Sequence, residues 1–170
     1  MNRLEQFKQF SPRIRASVLL CSLGGVGYLP VSGTAGSAAT LLLLLLPIEH
    51  MHLLLLISTG VFTAVGLAAI ASIEHIFGDD PSIVVIDEAA GMSLTLASPL
   101  IPLEPLWIIL GFVFFRLFDI VKPWPINRID AGRGPWAVMG DDLIAGVYAA
   151  LALHAVFHLT ALGVLFWSAA

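Results

Sequence analysis

Apolar residues fall into five runs along the chain, approximately Thr34 to Pro47, Leu53 to Ile73, Glu88 to Pro99, Leu106 to Val121 and Leu143 to Trp167. Four hydrophilic or proline-broken gaps separate them. Runs of this kind predict helices, and with 58 % hydrophobic residues, 12 % charged and a mean hydropathy of +0.94 the chain is too apolar for an ordinary soluble domain. The expected fold class is all-α: an integral membrane helical bundle of about five membrane or partly embedded helices. A full crossing takes about 20 residues, and runs one, three and four offer only roughly 12 to 16, which predicts partial penetration or oblique packing. No linker, repeat or low-complexity boundary appears, so residues 1–170 read as a single domain.

The amino-terminal stretch places Leu4, Phe7 and Phe10 at helix-like spacing among Arg3, Lys8 and Arg13. That pattern predicts an interfacial segment lying in the headgroup region. Ala16 to Leu23 resembles a signal-peptide core but runs into Gly24, Gly25 and Gly27 without a small-x-small cleavage site, so it is expected to stay in the mature chain.

Charge fixes an expected topology. If Arg3, Lys8, Arg13 and Arg15 are cytoplasmic, Arg116, Lys122, Arg128 and Arg133 also fall at inner helix ends, and the outer turns hold no basic residue. Trp124 and Trp136 then stand near the inner interface, Trp107 and Trp167 near the outer one, and Ala170 ends outside. The net charge of −4 adds little beside this distribution. The bilayer is the expected environment, no nucleic-acid partner is expected, and any oligomeric partner is left open.

The same topology gathers Glu74, Asp79, Asp80, Asp87, Glu88, Asp119, Asp130, Asp141 and Asp142 on the inner side. Acids at this depth are costly unless they pair, face a polar cavity or bind cations. A hard divalent cation held by carboxylates together with substrate phosphate, as Mg2+ commonly is, suits them. The competing explanation is local. Asp87–Glu88 and Asp141–Asp142 are each expected where a helix begins, where the macrodipole favours acids. Asp119, at a helix C-terminus, has Arg116 and Lys122 at i−3 and i+3 as ion-pair partners.

Two further constellations stand on the same side. Gly33 and Gly36, with Thr34 or Ser37 as caps, open the first apolar helix and could expose amides to phosphate. This is no Walker A loop, because no lysine follows the second glycine. Pro123 is expected to stop the fourth helix at Lys122, leaving Arg116 and Lys122 near an inner end for lipid headgroups or a phosphoryl group. His154 and His158 at i,i+4, and His50 and His52 in an outer turn, read as packed or interfacial residues. Cys21 is the single cysteine, which excludes an internal disulfide, and Gly27 stands where a Cys-x5-Arg phosphatase loop needs arginine.

Four ordered motifs carry a resemblance over residues 24–150: Gly33-Thr34-Ala35-Gly36-Ser37, Val85-Ile86-Asp87-Glu88-Ala89-Ala90-Gly91-Met92, Phe115 through Ile126 with Arg116, Asp119 and Lys122, and Met139-Gly140-Asp141-Asp142-Leu143-Ile144-Ala145-Gly146. The chain resembles the phosphatidylglycerophosphatase A family of bacterial inner-membrane lipid phosphatases. The resemblance implies Mg2+-dependent hydrolysis of phosphatidylglycerophosphate to phosphatidylglycerol and phosphate at the cytoplasmic face. On that reading Asp87, Glu88, Asp141 and Asp142 hold the metal, with Asp80 as a further ligand candidate. Asp119 is a ligand or the general base. Gly33, Thr34, Gly36, Ser37, Arg116 and Lys122 receive the phosphate. The alternative of another class is a small cation transporter or channel with a carboxylate ion site. A CDP-alcohol phosphotransferase is disfavoured by the lack of an Asp-Gly-x2-Ala-Arg run.

Overall fold

The computed structural model describes residue 7, residues 9–79 and residues 81–168. Asp80, Arg3, Leu4, Lys8 and Ala170 lie outside the described residues, as does the side chain of Trp167. Every regular element among the described residues is helical. Helix α1 spans Pro12–Cys21 and starts where Ser11 Oγ accepts the Ile14 amide at 3.4 Å, with Pro12 in the first turn. A 3-10 segment, Leu23–Tyr28, follows, turning at Gly24 and Gly25, whose φ values of 70° and 112° suit glycine. Helix α2 spans Ser32–Thr40 and continues as a 3-10 turn over Leu41–Leu45.

Helix α3 spans Met51–Phe77, α4 Ile86–Leu96, α5 Pro105–Val121, α6 Ile126–Asp130 and α7 Pro135–Ser168. Two helices, Met51–Phe77 and the Pro135–Leu162 part of α7, are long and apolar enough to cross a membrane. The 11-residue α4 rises only about 16 Å at 1.5 Å per residue. Nine of its eleven residues are buried, so it is the bundle's core helix and not a lipid-facing one. The leucine run is likewise divided: Leu42 and Leu45 are exposed, whereas Leu41, Leu43 and Leu44 pack on the core.

The core has two parts joined by α4. One gathers Val18, Cys21, Ile70, Ile73, Ile86 and Met139 from α1, α3, α4 and α7. The other gathers Leu55, Met92, Leu96, Phe115, Ile126 and Leu153. Close packing of α4 on α7 depends on glycine. A Cβ on Gly146 would stand 2.5 Å from the Gly91 carbonyl oxygen, and one on Gly91 would stand 2.5 Å from the Asp142 carbonyl oxygen. Thr95 Oγ1 donates to the Gly91 carbonyl at 2.9 Å beside this crossing.

Candidate active site

Asp87 and Glu88 occupy the first turn of α4, as expected. Asp141 and Asp142 do not begin a helix. Helix α7 starts at Pro135, where the Gly134 carbonyl accepts the Ala137 and Val138 amides, so both acids lie about two turns inside it. The macrodipole therefore gives no account of them, and their position is set by tertiary structure.

That position follows from the helix crossing. Gly91 is four residues after Asp87, and Gly146 four after Asp142, so each glycine lies on the same helical face as its acid. Pressing the glycines together brings the acids together. One carboxylate oxygen each from Asp87, Glu88 and Asp142 lies within 4.8 Å of the others, and Asp87 and Asp142 are buried. Glu88 Oε2 is buried and has no hydrogen-bond partner. Negative charges so close in a poorly solvated place repel unless a cation or shared protons intervene.

Lys122 approaches from another direction. It closes α5 in the left-handed conformation, φ 46°, with its amide on the Phe118 carbonyl. Its Nζ donates to Asp141 Oδ2 at 2.6 Å and pairs with Asp130 at the end of α6. Burial opposes its charge, but the hydrogen bonds and charges of the two carboxylates outweigh that and hold Lys122 above the usual lysine range. Asp141 thus faces a lysine, and its Oδ1 accepts the Asp142 amide at 2.9 Å.

A cavity of about 180 Å³ opens on these groups, lined by Asp87, Glu88, Asp119, Lys122, Asp141 and Asp142 together with Ser32, Ser82, Asp79 and Asp130. Of the residues expected in phosphate binding, Lys122 is in the wall, while Gly33, Thr34, Gly36, Ser37 and Arg116 are not. Arg116 Nη1 lies 2.6 Å from Asp119 Oδ2 and donates to Ser37 Oγ at 3.4 Å. Gly33 is pressed against this assembly, since its Cβ would meet the Glu88 carboxylate and stand 3.0 Å from Arg116 Nη1. Gly36 serves packing, its Cβ position being 2.7 Å from Val85 Cβ.

The expected caps are corrected. Helix α2 begins at Ser32 after Val31, with no side-chain cap, and Ser37 Oγ donates to the Gly33 carbonyl inside the helix at 2.8 Å. Thr34 is half-buried and lies away from the cavity wall. At the far end of α4, His52 Nδ1 lies 3.2 Å from the Leu96 carbonyl, and His154 lies between Ser98 Oγ and the Ala150 carbonyl. These are packing contacts; among the described residues the one carboxylate, histidine and cysteine group able to hold a metal is Asp87, Glu88 and Asp142.

Sequence reasoning did not single out Ser32, Ser82, Asp79 or Asp130 as site residues. Asp79 and Asp130 stood among the inner acids, but the return of Asp130 to Lys122 depends on the turn between α5 and α6. Nothing in the spacing of the serines marks them.

Fold and comparisons together define the class: the protein is an all-helical phosphatase. The family model for phosphatidylglycerophosphatase A matches residues 19–157, and the chain belongs to that family. It is 36 % identical to phosphatidylglycerophosphatase A of Escherichia coli K12 over 148 residues, 83 % of each chain. It is 34 % identical over 140 residues, 77 % of this chain and 87 % of the relative, to a Bacteroides thetaiotaomicron protein named as a candidate phosphatidylinositol-3-phosphatase. The Haemophilus influenzae phosphatidylglycerophosphatase A is 38 % identical over 79 residues, 45 % of this chain and 47 % of the relative. No solved structure matches.

Proposed function

We propose that the protein hydrolyses phosphatidylglycerophosphate to phosphatidylglycerol and inorganic phosphate with Mg2+, at the cytoplasmic face of a bacterial inner membrane. The observation that carries this reading is the triangle of Asp87, Glu88 and Asp142 oxygens within 4.8 Å of one another, opening on a cavity that also holds Lys122. Hard oxygen donors and the unpartnered buried Glu88 Oε2 fit a divalent cation. Asp87, Glu88 and Asp142 would hold such an ion, which would supply charge neutralisation at phosphate oxygens and a lowered pKa for water.

The chain's own groups supply the rest. Lys122 draws the phosphate into the wall as a point charge, while Asp130 and Asp141 keep it charged and aimed. Asp119 accepts the proton of the attacking water and returns it to the alcohol oxygen as the P–O bond breaks, so that phosphatidylglycerol leaves as the neutral alcohol. Arg116 holds Asp119 in place through their 2.6 Å ion pair, which makes it a positioning residue whose link to phosphate is indirect. Ser32 supplies a hydroxyl at the cavity edge.

The bilayer setting is supported by the apolar outer faces. Leu53, Leu56, Ile57 and Val61 of α3, and Leu106, Ile109, Val113 and Leu117 of α5, are all about half exposed or more. A soluble monomer rarely presents such patches. Phosphate release from several lipid monophosphates by purified protein, with Mg2+ and after chelation, tests the proposal. Release only from phosphatidylglycerophosphate and only with metal is expected. Undiminished release after chelation overturns the metal role, and no release overturns the function. Cysteines placed at Asp79 and Arg133, both exposed, should label from the cytoplasmic side, and periplasmic labelling overturns the orientation.

A further inference from the structure

The acid-lined cavity is too small for a lipid. At about 180 Å³ it lies below the roughly 300–1,000 Å³ of pockets that enclose drug-sized ligands, so it can take a phosphoryl group and little more. A second cavity of about 580 Å³ opens beside it. Ser32 and Ser82 line both, so the two hollows meet at those residues.

Their chemistry is divided. Seven carboxylates and a lysine line the first, whereas among the described residues no charged one lines the second. Its walls are Phe10, Tyr28, Leu29, Val31 and Phe77, and the Phe10 and Phe77 rings meet edge-on with centroids 5.6 Å apart. Its floor is fixed: the Gly27 backbone lies against the Ile83 carbonyl, where no side chain fits, and Val85 donates to the Cys21 carbonyl at 2.9 Å. At the rim Val31 is held at φ 55°, rare for a β-branched residue, and stands 73 % exposed beside half-exposed Leu29. An apolar rim leading to an acid-lined end fits an amphiphile whose charged end enters first.

We propose that the second cavity holds the glyceryl ester and the first acyl methylenes of the lipid whose phosphomonoester enters the acid-lined cavity, with Ser32 and Ser82 at the threshold. The inference rests on the lipid-phosphatase reading above. It makes the Tyr28–Val31 turn the determinant of lipid recognition, separate from the groups that act on phosphate.

Phosphatidylglycerophosphate carrying a diazirine near the ester end of one acyl chain tests this in mixed micelles, with adducts located by peptide mass spectrometry. Adducts on Tyr28 to Val31 and on Phe77 are expected. In parallel, Leu29→Asp and Val31→Asp place a charge on the apolar rim. Each should raise KM for the long-chain lipid about tenfold with kcat changed less than about twofold, because charge next to buried methylenes opposes binding and not the chemical step. Adducts confined to the outward faces of α5 or α7, or an unchanged KM in both variants, overturn the inference while phosphate release by the unmodified protein leaves the phosphatase reading standing. No phosphate release from the unmodified protein overturns both.

Discussion

Replacing Gly146 by alanine asks whether the crossing of α4 and α7 sets the geometry of the acids. The added Cβ would lie 2.5 Å from the Gly91 carbonyl oxygen and 3.1 Å from Gly91 Cα and carbonyl carbon. Those neighbours are backbone and cannot swing aside. An ordinary contact is reached only if the helices part by roughly 0.5–1 Å, an overpacking strain of about 1–3 kcal/mol. Parting them moves Asp142 against Asp87 and Glu88, whose oxygens define the 4.8 Å triangle. A misplacement of about 1 Å at a reacting centre costs on the order of a hundredfold in rate. Gly146→Ala should therefore lower kcat/KM about 10- to 100-fold while the protein stays folded, unfolding some degrees earlier. Phosphate release and thermal unfolding followed by circular dichroism measure the two effects. Gly60→Ala is the control: a Cβ there meets nothing within 4 Å, and in mid-helix the change should stabilise by roughly 0.5–1 kcal/mol without touching activity. A Gly146→Ala variant with full activity and an unaltered metal requirement refutes the argument.

Asp142→Asn keeps shape and removes charge, so turnover should fall at least about a hundredfold and Mg2+ dependence should weaken, with helicity unchanged; near-normal Mg2+-dependent turnover would sink the ligand assignment. Arg116→Ala strips Asp119 of a partner at 2.6 Å, both side chains being largely buried. The loss should cost about 3 kcal/mol of stability and at least about tenfold in kcat, with partial recovery in Arg116→Lys, which restores charge but not the planar fork. Full kcat in a folded Arg116→Ala protein contradicts the positioning role. Cys21 is fully buried, and burial followed by the charge of Asp87 pushes its thiol up to about 12. Since the thiolate is the reactive form, Cys21 should resist maleimide at pH 8 until the protein is denatured, and rapid labelling of folded protein would contradict that burial.

Each of the five apolar runs predicted from sequence overlaps a helix, α2, α3, α4, α5 or α7, because burial and periodicity act along the whole run. The boundaries were legible where a local stop signal exists, as at Pro105 and at Lys122 before Pro123. They were not legible in α7. Gly140, Asp141 and Asp142 interrupt its apolar pattern and suggest a helix start at Leu143, yet Gly134 and Pro135 begin the helix eight residues earlier. Packing against α4 overrides the poor helical preference of those three residues. Asp87 and Glu88 were legible as candidates because acids are rare in so apolar a chain. The partners of Lys122 and Arg116 were only half visible. Arg116 and Asp119 share a helical face at i,i+3, but the Lys122 contacts to Asp130 and Asp141 come from chain reversals that spacing does not encode. Similarly, glycines that looked like a phosphate loop at Gly33 and Gly36 serve close packing.

The acids of α4 and α7 stand on rigid helices whose separation is fixed by backbone contact, whereas Tyr28 to Val31 stand on a short connection with side chains turned outward. Substitutions in that connection leave the helix crossing untouched. An ancestor with this architecture could therefore exchange one lipid class for another by drift in the four positions Tyr28 to Val31, keeping its hydrolytic chemistry intact throughout. For an engineer the same division marks where to randomise: a library over Tyr28 to Val31 samples new lipid preferences, while any library reaching Gly91 or Gly146 samples mostly inactive proteins.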